Sequence, residues 1–135
     1  MRYFLLMIAV VALVGGCAST PKVVPNSPEA KAAIEAAIRY AAGKPTGELA
    51  KADLEKVTRL DLRSNKLTDV TGLEKLTQLT YLSLGGNKLT DVKGLEKLTQ
   101  LTRLSLENNP DLTKAQIDEL EKALPFFYNI THNVT

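Results

Sequence analysis

The sequence holds one cysteine, one histidine and no tryptophan. A lone thiol cannot close an internal disulfide, so the redox compartment has to be read from other features. A single histidine excludes a multi-histidine metal site and leaves little for a His-centred triad. Aromatic residues are sparse, at 5%. Charge of one sign is also lacking: 17 Lys and Arg against 15 Asp and Glu give a net +2, which makes no strong field for nucleic acid or acidic lipid. The longest apolar run, Phe4 to Val14, is 11 residues. That is well short of the ~20 that a membrane-crossing helix needs. No Gly-rich phosphate loop opens a helix, since Gly85-Gly86 lacks the surrounding motif. His132 falls in a segment that reads as a frayed tail. No catalytic site, metal or cofactor is expected, nor a small-molecule substrate. What is present is 135 residues, 44% hydrophobic, enough for one small domain.

The first segment reads "MRYFLLMIAVVALVGGC". A basic start, a short apolar core and small residues at its end make a secretory signal peptide over 1–16. The ending Val14-Gly15-Gly16-Cys17 resembles a bacterial lipobox. That resemblance implies that Cys17 carries a diacylglycerol on its thiol and becomes the first residue of a lipid-anchored envelope protein. Acyl chains in pairs or threes hold a protein firmly to a membrane, where one chain holds it weakly. Ala18 after the cysteine resembles lipoproteins of the outer membrane, if the cell is Gram-negative. Two other readings stay open: ordinary cleavage before Ser19, giving a secreted protein, and an uncleaved anchor. Residues 17–27, with Pro21 and Pro25, read as an extended tether. At ~3.1 Å per residue it reaches roughly 30 Å.

A helical cap is expected over 28–56. Ser27-Pro28 is a helix start, an N-cap hydroxyl followed by proline at the first helical position. Ala30, Ile34, Ala37, Ile38 and Ala41 make one apolar face, and Gly43 supplies a stop. A second short helix is expected from Leu49 to Lys56.

The centre of the chain, 57–112, repeats itself. "LTDVTGLEKLTQLTYLSLGGNK" (67–88) is followed by "LTDVKGLEKLTQLTRLSLENNP" (89–110). The copies differ at Thr71/Lys93, Tyr81/Arg103, Gly85/Glu107, Gly86/Asn108 and Lys88/Pro110. The pattern L-x-x-L-x-L-x-x-N occurs three times: Val57, Leu60, Leu62, Asn65; Leu79, Leu82, Leu84, Asn87; Leu101, Leu104, Leu106, Asn109. Its period of 22 lies within the leucine-rich-repeat window. Alternating leucines point inward from a short strand, and Leu67, Val70, Leu73 and Leu76 close the core behind. One coil cannot bury that core alone, so coils stack and their strands pair in parallel. The Asn residues, with Asp69 and Asp91, are expected to serve buried backbone groups at the turns and not as ligands. Residues 113–135 supply the other cap. Thr113 with Gln116 makes a capping box, Ile117, Leu120, Ala123 and Leu124 make one stripe, Pro125 stops the helix, and "FFYNI" is a last parallel strand over the open edge.

These residues resemble the 22-residue class of bacterial leucine-rich repeats known from the internalins. "PTGELAKADLEKVTRLDL" is similar to the helical cap that leads into their first strand. The resemblance implies an α/β fold, a short solenoid with parallel strands on its concave face and helical caps, binding a protein partner through that face. The outward positions then form columns: Arg59-Tyr81-Arg103, Asp61-Ser83-Ser105, Arg63-Gly85-Glu107 and Ser64-Gly86-Asn108. Three of the five differences between the copies fall in them. Arg59, Tyr81, Arg103, Asp61, Arg63 and Glu107 are the candidate partner-binding residues. Tyr and Arg are common hot-spot residues, and a guanidinium on a neighbouring strand lies within reach of the ring. Two accounts of the differences stand side by side, drift at unconstrained positions and adjustment to a partner. The unchanged outward pairs Glu74/Glu96 and Lys75/Lys97 weigh against drift. A structural envelope lipoprotein with no dedicated partner is the alternative function.

Overall fold

The computed structural model describes residues 23–124 and 129–133. Helix α1 (Pro28–Ala42) and the short helix α2 (Lys51–Leu54) lead into strand β1 (Arg59–Asp61). Strands β2 (Tyr81–Ser83) and β3 (Arg103–Ser105) follow, each preceded by a 3-10 turn, Leu73–Lys75 and Leu95–Lys97. Helix α3 (Lys114–Ala123) and strand β4 (Asn129–Thr131) end the fold. The four strands form one parallel sheet in the order β1-β2-β3-β4. Register is set by the inward residues, with Leu60, Leu82, Leu104 and Ile130 side by side. This is the α/β solenoid that the repeats require.

The leucines of the repeat supply the core. Leu62, Leu67, Leu73, Leu76 and Leu79 are fully buried, as are their counterparts 22 positions on, and so is Leu82. Each such side chain contributes about 1.5–3 kcal/mol relative to exposure. Helix α1 adds Ala30, Ile34, Ile38 and Ala42 to the same cluster, with Ala37 and Ala41 at its margin. It starts where Ser27 Oγ accepts from the Ala30 amide, and its last turn closes at Gly43. Helix α2 is shorter than the expected 49–56. Ala50 is extended, and by Val57, which is fully buried, the chain has already turned into the sheet. In α3 the capping box forms between Thr113 and Gln116, and Ile117 and Leu120 are buried. Ala123, expected on that stripe, is exposed; Leu124 takes the inward place. Of the "FFYNI" strand, 126–128 lie outside the described residues, and β4 runs from Asn129 to Thr131.

Asparagine and threonine ladders tie the coils together. Asn87 Oδ1 accepts from the Asn65 and Leu67 amides, while its Nδ2 donates to the Leu62 and Leu84 carbonyls. Asn109 repeats this one coil on, toward Leu84, Leu89 and Leu106. Each Asn reaches back to the preceding coil. Asn65 has no repeat coil before it, and among the described residues its side chain donates only to the Arg63 carbonyl and stays half-buried. Asp69 and Asp91 accept from the Thr71 and Lys93 amides, as the turn chemistry predicts.

The tether is shorter than 17–27. Asn26 is 5% exposed and is bonded to Thr68 and Asp69, and the Val24 amide donates to Thr90 Oγ1. The segment is therefore fastened to the solenoid at the Val24 amide and at Asn26, while the side chains of Val23, Val24 and Pro25 stay exposed. Cys17 and the signal segment lie outside the described residues.

Candidate functional site

The concave face is built from the strand residues that alternate with the buried leucines. Strand pairing brings Arg59, Tyr81 and Arg103 into one row, continued by Asn129, and Asp61, Ser83, Ser105 and Thr131 into the next. The row containing Arg63, Gly85 and Glu107 follows at the strand ends.

The six candidate residues do not act as one patch. Arg59 lies over the Tyr81 ring, 4.9 Å from its centroid. Exposed, such a stack contributes about 0.5–1 kcal/mol. Asp61 and Arg63 meet as a two-pronged ion pair, at 2.7 Å and 3.0 Å. The Arg63 guanidinium holds the Asp61 carboxyl below the usual carboxylate range, and the carboxylate raises Arg63 in turn. Arg103 and Glu107 differ: among the described residues, their side chains form no hydrogen bond or ion pair. Both line a groove of about 730 Å³ that runs from Tyr81 across Ser83, Gly85 and Ser105 to Thr131.

The fourth column is a backbone feature. Ser64, Gly86 and Asn108 all have positive φ, at 56°, 68° and 55°. Each coil turns through the left-handed region here, where glycine is unstrained and asparagine is tolerated better than most residues. The Gly86/Asn108 difference thus exchanges two residues that suit one turn. Glu74 and Glu96 also have a backbone task, accepting from the Gly72 and Gly94 amides at the start of each 3-10 turn. Their identity in both copies follows from that task and no longer weighs against drift.

Sequence reasoning missed Tyr40. It sits on α1, off the apolar stripe, and is 90% exposed. With Tyr81, Arg59 and Ala37 it lines a second groove of about 670 Å³ between α1 and β1. The available signal was a large aromatic on the polar side of an alanine-rich helix. His132, read as part of a frayed tail, directly follows β4 and is half-buried, its Nδ1 enclosed without a hydrogen-bond partner among the described residues. No group of His, Cys, Asp and Glu among the described residues could hold a metal ion.

The model of the family of leucine-rich repeats, two copies to a unit, matches residues 55–96 and 77–122. Together these matches span 55–122, half of the chain. The chain belongs to the leucine-rich-repeat family. Among solved leucine-rich-repeat structures, the functional domain of InlJ from Listeria monocytogenes is 31% identical. That match covers 76% of this chain and 22% of that one, with a TM-score of 0.58. The internalin inlF of Listeria monocytogenes is 22% identical over 77% of this chain and 44% of its own, with a TM-score of 0.48. This leucine-rich-repeat chain thus spans under half the length of either. The InlJ domain includes a cysteine ladder; here the repeats hold no cysteine, and asparagine and threonine form the ladders. Comparison with curated protein sequences finds no match.

Proposed function

We propose that this leucine-rich-repeat protein is a lipid-anchored binding module of the bacterial cell envelope, anchored through Cys17, whose concave face takes a protein partner. The observation that carries the reading is a division of labour among outward residues. Glu74, Glu96, Thr80 and Thr102 each bond to backbone and hold the coils in place. Among the described residues the Tyr81 and Arg103 side chains bond to no backbone group, yet they stand in register with Arg59 on the strand face. Aromatic and arginine side chains in such a row are what interface hot spots are made of.

A photo-crosslinking residue at position 81, in the native envelope, tests the partner. It should give one discrete protein adduct, lost when Arg59 and Arg103 are both changed to Ala. A crosslinker at Lys97, on the return side, should give none. Equal adducts from the two positions would remove the concave face from the reading. The anchor is tested separately by mass spectrometry of the mature chain, where an N-terminus at Ser19 without lipid would overturn it.

A further inference from the structure

We propose that the groove over β2–β4 recognises an extended, zwitterionic peptide segment, with a carboxylate side chain set against Arg103 and a basic one against Glu107. This rests on the concave-face reading above and names the partner's chemistry. Charges on β1 are already engaged, Arg59 with Tyr81 and Asp61 with Arg63. The third coil instead offers one cation and one anion, both exposed and both lining a single groove. Its floor between them is polar but uncharged, made by Ser83, Ser105 and Thr131. Beside Glu107 the floor drops at Gly85. A Cβ built there would meet the Glu107 carbonyl and Ser105 Oγ at 3.5 Å, ordinary contact. The absent side chain leaves room for a methyl or methylene of the occupant.

Spacing suits an extended occupant. Arg103 opens β3 and Glu107 lies two residues past its end, where ladder bonds between the coils continue, so the two are on the order of 13 Å apart at ~3.3 Å per residue. An extended ligand has the same rise and the same period of two, so its own residues four apart match both charges. A helix presents residues seven or eight apart on one face at about 10.5 or 12 Å, but its diameter of about 10–12 Å holds its backbone off the serine floor, where an extended chain can lie close. Small residues belong between the charges, because the serine floor lies close to the sheet.

The test titrates the isotope-labelled full chain, in detergent micelles, with three capped pentapeptides: Glu-Ser-Ala-Ser-Lys, Glu-Ser-Ala-Ser-Glu and Lys-Ser-Ala-Ser-Lys. Amide shifts of Gly85, Gly86 and Ser105 report binding. The zwitterionic peptide should bind about three- to tenfold more tightly than either of the others, since two exposed ion pairs differ by that much. Glu107→Lys should transfer the preference to the diacidic peptide. Combining it with Arg103→Glu should restore the preference for the zwitterion. Three indistinguishable titrations would overturn the proposal. So would shifts confined to Arg59 and Tyr81, which would leave the concave-face reading standing and remove only this partner chemistry.

Discussion

Asp53 holds the corner between the two N-terminal helices. Its carboxylate accepts from Lys44 at 2.7 Å and from the Ala50 amide at 2.9 Å, with Lys56 at 3.5 Å. The Lys44 hydrogen bond, followed by that of the Ala50 amide, lowers its pKa from 3.8 to about 2. A depressed carboxylate stabilises the fold above its unfolded pKa, and that contribution disappears as pH falls through the folded value. Asp53→Asn should therefore lower the melting temperature at pH 6, and the gap to the parent chain should narrow between about pH 4 and about pH 2. Thermal melts across that range check it; a gap that stays constant would mean the ion pair adds nothing to stability. At this scale some residues were readable and others were not. Asp69 and Asp91 could be assigned to turn amides because an acid before a tight turn has a local use. Glu74 and Glu96 looked free because a carboxylate bonding two residues back leaves no periodic trace. Ser64, Gly86 and Asn108 looked like surface because the sequence shows which way a strand residue points but not where φ turns positive.

Elements meet the problem of ends. Inside the solenoid, the Thr90 amide and hydroxyl both donate to the Thr68 carbonyl of the preceding coil. Thr68 has no coil before it. The Asn26 side-chain oxygen takes the place of that missing carbonyl, accepting from the Thr68 amide at 2.8 Å and from its hydroxyl at 3.3 Å. At the far end, Gln116 of α3 donates to the Thr90 carbonyl. One ladder is thus closed by two side chains, and stacked coils require such caps. Asn26→Ala would leave the half-buried Thr68 amide and the buried Asp69 amide without this acceptor, at a cost of about 1–3 kcal/mol. Asn26→Asp should cost more at neutral pH, since it sets a second carboxylate against the buried Asp69, and part of the loss should return in acid. Urea unfolding at two pH values measures both; a neutral Asn26→Ala would show that the segment merely rests on the surface. The strands, α1 and α3 were legible because leucine period and capping residues are local signals. The Asn26 contact was not. It spans 42 or 43 positions through one side chain, inside a stretch whose prolines read as tether.

At the scale of the molecule, the concave face is small for a protein-binding surface. Four strands at ~4.8 Å make a concave face roughly 15–20 Å across, a few hundred Å², against the ~800 Å² per partner of a standard interface. The groove beside α1 widens the usable surface toward Tyr40, yet a single copy should still bind no tighter than about micromolar. Under the proposed anchoring at Cys17, display on a membrane changes the balance: seven residue steps separate Cys17 from Val24, whose amide bonds to Thr90, a reach of roughly 25 Å at full extension. Anchored so, neighbouring copies would share one surface at a raised effective concentration, which strengthens multivalent binding by about 10²–10⁴-fold without any new contact. The chain tethered to vesicles through Cys17 should therefore retain a surface-immobilised, multivalent partner far longer than the soluble domain does, and lowering its density on the vesicles should remove the gain. Replacing Arg59, Tyr81 and Arg103 by Ala together should abolish retention at every density. Flow-cell dissociation rates at graded densities measure this. If the triple variant is retained like the parent, the binding surface is elsewhere on the solenoid; if density has no effect, one copy binds alone and the anchor serves only to locate it.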